Sequence, residues 1–131
     1  MVSEQESVAV VQSFRDLLVW QKAIRLTVQI YELTKAFPRE EIYGLTSQMR
    51  RSAVSIPSNI AEGTGRSGTP ELKHFLSMAR ASNCELQTQL IIARELSLGD
   101  KDRIKSAEDL THEVGKMIFA MMQKLSKRTT D

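Results

Sequence analysis

Residues 69–100 read TPELKHFLSMARASNCELQTQLIIARELSLGD, and this stretch decides the fold. Leu72, Ala79, Leu86 and Ala93 recur every seven residues. So do Leu76, Asn83 and Leu90, which makes a heptad seam with one polar position. Thr69-Pro70-Glu71 reads as an N-cap, an N1 proline and a first-turn acid. Gly99 reads as the C-cap, so the helix is expected to reach Leu98. Asp100 then caps a further helix running to Leu125. Its seam is Ile104, Thr111, Ile118 and Leu125, interleaved with Ala107, Val114 and Met121. Two helices of matching heptad period joined by a tight Gly-Asp turn are expected to lie antiparallel. Lys124, Lys127 and Arg128 close the chain, where cations suit a helix C-terminus.

Working toward the N-terminus, Gly63-Thr64-Gly65-Arg66-Ser67-Gly68 is the clearest loop. Before it, the spacing predicts a helix over Leu45 to Glu62 with the apolar stripe Leu45, Met49, Ala53, Ile56 and Ile60. Gln48, Arg51, Ser55, Ser58 and Glu62 fall together on another face. Pro57 lies inside this pattern, where it lacks an N–H and its ring crowds the Ala53 carbonyl. Asn59 followed by Glu62 fits the cap of a restarted helix. Spacing alone leaves one kinked helix and two short ones both open. Pro38 to Gly44 reads as a polar turn. The first helix is expected over Leu17 to Ala36, capped by Asp16 and stopped by Pro38. Its apolar residues include Trp20, Ala23, Ile24, Val28, Ile30 and Tyr31, and they spread over roughly 220° of arc. That arc is broader than one bundle face needs, so part of it is expected to be buried between subunits. Trp20 is expected in the core. Residues 1–15 show no helical period and read as a flexible arm, with Ser7 to Val11 a strand without a partner. The bundle domain is then 16–128.

Composition narrows the function classes. The chain has 131 residues, enough for one domain with a core of its own. Aromatics are 5% of it, with 6 Gly and 3 Pro, which argues against an all-β sandwich or barrel. The one cysteine, Cys84, excludes an internal disulfide and a cysteine-based zinc site, and makes the cytoplasm the default compartment. It reads as a small, partly buried thiol. No apolar run approaches the ~20 residues of a membrane span, and the N-terminus lacks the pattern of a signal peptide. The net charge of +2 does not by itself mark a nucleic-acid binder, because clustering decides.

Enzyme signals are weak. Glu71-Leu72-Lys73-His74 and Asp109-Leu110-Thr111-His112 have the spacing of ligands in metal-binding bundles. However, His74 lies roughly 160° from the Leu72/Leu76/Ala79 stripe, so neither motif points into the core. Gly63-Thr64-Gly65 lacks the Lys and preceding strand of a phosphate loop. No cofactor, metal or small-molecule substrate is expected. Cations are the remaining chemistry. Arg50, Arg51 and Arg66 face Glu62 alone between Gly44 and Gly68, and Lys124, Lys127 and Arg128 form a second group. Such groups hold a phosphate backbone without reading its sequence. The polar set Gln48, Ser55, Ser58, Asn59 and Glu62 is expected to build a network inside the bundle or at a subunit contact. Arg51 is expected to pair with a carboxylate there, with Glu62 a candidate only across subunits, since ~16 Å of helix separates them.

Three ordered motifs carry a resemblance. They are Leu17-x-Val19-Trp20-Gln21-Lys22-Ala23, Phe37-Pro38-x-x-Glu41-x-Tyr43-Gly44-Leu45-Thr46-Ser47-Gln48, and Arg50-Arg51-x-x-x-Ser55-Ile56-Pro57-Ser58-Asn59-Ile60-Ala61-Glu62-Gly63. Phe75-Leu76-x-x-Ala79-x-x-Ser82-x-x-Glu85-Leu86 continues them. Over residues 14 to 126 the chain resembles the four-helix bundle proteins encoded in intervening sequences of bacterial 23S ribosomal RNA genes. The resemblance implies one continuous helix kinked at Pro57. It also implies a ring-shaped homopentamer, as in the related accessory variability proteins of diversity-generating retroelements, which bind nucleic acid and a reverse transcriptase. Nothing in it points to catalysis.

The expectation is therefore an all-α, antiparallel, up-down-up-down four-helix bundle that forms a homo-oligomer. The expected function is a non-enzymatic accessory protein of the bacterial cytoplasm that binds RNA or DNA. A protein-interaction scaffold without nucleic-acid binding is the competing reading.

Overall fold

The computed structural model describes residues 13–130, with side chains over 13–127. Among the described residues there are four α-helices and no strand: α1 (Leu18–Thr34), α2 (Leu45–Gly65), α3 (Thr69–Glu95) and α4 (Lys101–Thr130). Two short 3-10 turns, Phe14–Asp16 and Arg39–Glu41, precede α1 and α2. The Ser7 to Val11 segment lies outside the described residues, but residues 13–15 do not belong to a free arm. Ser13 caps the first 3-10 turn by accepting from the Arg15 N–H, and the Phe14 ring meets Trp20 edge-on at 5.2 Å.

The seams read from the sequence form the core. Leu26, Ile30 and Leu33 of α1 meet Met49, Ile56 and Ile60 of α2, Leu76, Leu86 and Leu90 of α3, and Ile104, Val114 and Ile118 of α4, all buried. The polar seam position Asn83 is buried too, and its side-chain amide donates to the Thr111 carbonyl at 2.9 Å. Contacts between helices pair early residues of one with late residues of the next. Ser52, Ser55 and Gly63 of α2 meet Glu85, Ser82 and Phe75 of α3. Thr27 and Thr34 of α1 meet Ala53 and Arg50 of α2. Lys22 of α1 binds Glu113 of α4 at 2.6 Å.

Helix ends depart from expectation in several places. α2 continues to Gly65, so Gly63, Thr64 and Gly65 are helical and the loop is shorter than expected; α4 runs on to Thr130, past Leu125, and α1 stops at Thr34, short of Ala36. Asp16 lies in the 3-10 turn, and Leu17 occupies the N-cap of α1 without a side-chain bond. Gly68, at φ 103°, is the N-cap of α3, so Thr69 is already helical. At the other end α3 stops at Glu95, earlier than Leu98. There Leu98 N–H bonds the Ala93 carbonyl at 2.9 Å and Ser97 N–H bonds Arg94 at 3.0 Å. This is a Schellman motif, with Ser97 holding the left-handed position at φ 57° that glycine usually takes. Gly99, at φ 74°, serves the turn after it. Asp100 does cap α4, accepting from the Arg103 N–H at 2.9 Å.

α2 runs unbroken through Pro57. Pro57 leaves the Ala53 carbonyl without its intrahelical donor. The Thr27 hydroxyl of α1 lies 3.0 Å from that carbonyl and 2.8 Å from the Ala23 carbonyl of its own helix, and its one proton is shared between them. Asn59 caps no new helix. Its amide donates back to the Ser55 carbonyl and hydroxyl at 2.8 and 2.9 Å.

Candidate nucleic-acid interface

The two arginines that adjoin in sequence do different things. Arg50 is anchored to α1: its Nε donates to Thr34 Oγ1 at 2.8 Å and its guanidinium lies 4.5 Å over the Tyr31 ring. Arg51, one position on, is exposed, and its side chain has no hydrogen bond or ion pair among the described residues. The carboxylate expected beside it is absent in the single chain. Glu62 is engaged instead by Arg66 in an exposed pair at 2.7 Å.

Arg66 does not group with Arg50 and Arg51. Fifteen residues of helix separate it from Arg51, roughly 22 Å. Arg66 lies over the Phe75 ring at 5.3 Å, and Arg80 of α3 lies over Phe119 of α4 at 5.1 Å. Lys124 is little more than one turn beyond Phe119, toward the same end as Phe75. The structure thus brings Arg66 and Lys73 to the end of the bundle that carries the exposed Lys124 and Lys127. In the segments 62–75 and 119–127 four Lys and Arg stand against two carboxylates, Glu62 and Glu71, so this end is locally cationic. The Arg128 side chain lies outside the described residues.

The expected polar network forms only in part. Ser55 and Asn59 are joined, and Ser82 of α3 donates to Ser55 Oγ at 2.8 Å. Gln48 and Ser58 are exposed, and their side chains make no hydrogen bond among the described residues. α3 supplies the partners that α2 alone does not show: Ser82, Glu85 and Gln89 fall at i, i+3 and i+7 and face α2, a polar stripe at helical spacing. Ser52, buried, reaches Glu85 at 3.4 Å.

The breadth of the α1 apolar arc is real and uncovered. Leu18, Ile24, Val28 and Tyr31 are exposed, with Val28 at 55%. Trp20 is half-buried at the edge of the core. Cys84 is exposed rather than partly buried, because it follows the seam residue Asn83 by one position and turns ~100° away. His74 and His112 are exposed, and among the described residues no three metal-ligating side chains converge. No helix among the described residues is long and apolar enough to cross a membrane.

A family model described as 23S rRNA-intervening sequence protein matches residues 15–120. The chain belongs to the 23S rRNA-intervening sequence protein family. A solved structure from Bacteroides thetaiotaomicron is similar to this family member, with a TM-score of 0.72 at 18% identity. The alignment covers 80% of this chain and 98% of that one, which is described as a protein of unknown function from the S23 ribosomal protein family. At that identity the likeness concerns the fold alone. No curated protein matches the chain at a significant level.

Proposed function

We propose that this intervening-sequence protein is a non-enzymatic, homo-oligomeric accessory protein that binds nucleic acid, RNA in the first place, through its phosphate backbone. The observation that carries the reading is the gathering of Arg66, Lys73, Lys124 and Lys127 at one end of the bundle. Arg128 and the unpaired Arg51 extend the same chemistry. The Arg66–Glu62 pair does not remove Arg66 from use, since an exposed i,i+4 pair contributes only ~0.3–0.5 kcal/mol and yields readily to phosphate. Arg50 contributes through structure, by holding α1 to α2.

The helices run up-down-up-down and antiparallel, which the opposed order of the α1–α2 and α2–α3 contacts supports, and Pro57 bends α2. Assembly buries the exposed apolar stripe of α1. A closed ring of five repeats the cationic end around one axis, so that weak phosphate contacts add. The competing reading, a scaffold for protein contacts, draws on the same stripe and leaves the cations as solubilising groups. Replacing Arg66, Lys124, Lys127 and Arg128 with Ala separates the two. RNA affinity at low salt falls while the oligomeric mass is unchanged, or the nucleic-acid reading fails.

A further inference from the structure

The exposed face of α1 leads into a cleft that neither the core nor the cationic end uses. At about 100° per residue, Ile24, Val28, Tyr31 and Lys35 fall within about 60° of one another around α1. All four are exposed, so this face is an apolar stripe that ends in a cation. The stripe runs into a cleft of about 1000 Å³ between the end of α1, the turn after it and the start of α2. Lys35, Arg39, Arg50 and Arg51 line this cleft, and among the described residues no carboxylate does. Tyr31 and Val54, both exposed, give it an apolar side. Lys35 meets Glu32 in an exposed pair at 3.2 Å, which contributes little and yields to a better partner.

The chain enters α1 on this same side. The Phe14 ring packs on Trp20, and Gln21 Nε2 donates to the Arg15 carbonyl at 2.8 Å. By the same helical arithmetic, the direction midway between Trp20 and Gln21 falls inside the band of the stripe. The segment before Ser13 thus starts at the head of the stripe. It reads MVSEQESVAVVQ, with Glu4 and Glu6, no Lys or Arg, and then Val8, Ala9, Val10 and Val11.

Order and reach both match. Counted back from Arg15, the valines come first and the two glutamates after. Along α1 the apolar residues come first and the cations after. An extended chain spans at most ~3.3–3.6 Å per residue, so Val11 to Val8 reach up to ~13–25 Å from Arg15, and Glu6 and Glu4 up to ~30–40 Å. A helix rises 1.5 Å per residue, which puts Ile24 to Tyr31 roughly 9–20 Å beyond Leu18 and Lys35 roughly 26 Å beyond it. A phosphate backbone would match the cations and leave the apolar stripe bare.

We infer that residues 4–11 lie along the exposed face of α1 of their own chain, with Val8 to Val11 against Ile24, Val28 and Tyr31, and with Glu4 and Glu6 on the cations of the cleft. In an assembly, a neighbouring subunit then meets α1 with this segment in place. The two acids compete with phosphate for Arg51 and leave the cationic end, roughly 22 Å away at Arg66, open to RNA. The inference does not rest on the nucleic-acid reading.

Paramagnetic broadening in the full-length chain tests it. The exposed Cys84 is replaced by Ser, and a nitroxide is attached through Gln5→Cys, between the two glutamates. Isotope-labelled, spin-labelled chain is diluted into unlabelled chain by co-refolding, so that effects within one chain are read. The amides of Tyr31, Lys35, Arg50 and Arg51 lose intensity, while those of Lys124 and Lys127 do not. Glu4→Lys with Glu6→Lys restores the lost intensity, with helix content unchanged. The proposal is overturned if the cleft amides keep their intensity, or if the charge reversal changes nothing. It is equally overturned if broadening appears only when the nitroxide and the isotope are on different chains, since the segment would then come from another copy. Cleft amides that shift with an RNA oligonucleotide but do not respond to the nitroxide would give the cleft to nucleic acid and overturn it as well.

Discussion

Replacing Thr27 with Val removes one hydroxyl hydrogen and tests how α2 survives a proline in its interior. Pro57 cannot donate to the Ala53 carbonyl, and Ala53 is fully buried, so no water can substitute. The Thr27 hydroxyl stands 3.0 Å from that carbonyl and 2.8 Å from the Ala23 carbonyl of its own helix. Thr27→Val keeps the shape and leaves the Ala53 oxygen unpaired. The expected loss is about 1–3 kcal/mol, the cost of a buried group without its bond. For a domain of this size that lowers Tm by roughly 3–10 °C. Pro57→Ala restores the helix's own donor to Ala53. In that background Thr27→Val should cost less, by about 1 kcal/mol of coupling. Urea unfolding followed by circular dichroism reads both, at one fixed chain concentration because an assembling protein's midpoint depends on it. A Thr27→Val variant within about 0.3 kcal/mol of the parent would refute the reasoning. So would an equal cost with and without Pro57.

Three further outcomes are expected. A Cβ on Gly63 would sit 2.9 Å from Phe75 Cβ and 3.1 Å from Leu72 Cδ1, so Gly63→Ala should force α2 and α3 apart and cost about 1–3 kcal/mol in urea unfolding. Ser97→Gly should stabilise the chain by about 0.5–1 kcal/mol, because it relieves the left-handed backbone at φ 57° in the Schellman motif; an unchanged Tm would count against that strain. Val28→Asp places a charge on the exposed apolar stripe of α1 and should shift the light-scattering mass to that of one 14.8 kDa chain without loss of helix; a mass unchanged from the parent would remove α1 from the interface.

The heptads of α3 and α4 were legible in the sequence because each seam position depends on period alone. Leu76, Leu86, Leu90, Ile104, Val114 and Ile118 are all buried as the spacing requires. Helix ends were less legible. A Schellman stop with serine in place of glycine leaves no composition signal, so Leu96 to Leu98 read as helix. The continuity of α2 was hidden for a different reason. The carbonyl that Pro57 leaves free meets Thr27, which is 26 residues from Ala53 and on another helix. The candidate site was split likewise. Arg66 reads as a neighbour of Arg50 and Arg51 along the chain, while the bundle moves it ~22 Å away from Arg51 and toward Lys124. Ser82, Glu85 and Gln89 carry a visible helical period, but their meaning depends on which face α2 presents to them.

The central claim is that the cationic end holds a nucleic-acid backbone. The affinity of the unmodified chain for single-stranded RNA, measured across a range of salt concentrations, tests it most directly. Phosphate contacts release counterions, so with several cations engaged the log–log slope should be steeper than about −2 and nearly the same for unrelated sequences. An absence of binding at low salt, or an affinity indifferent to salt, would contradict it.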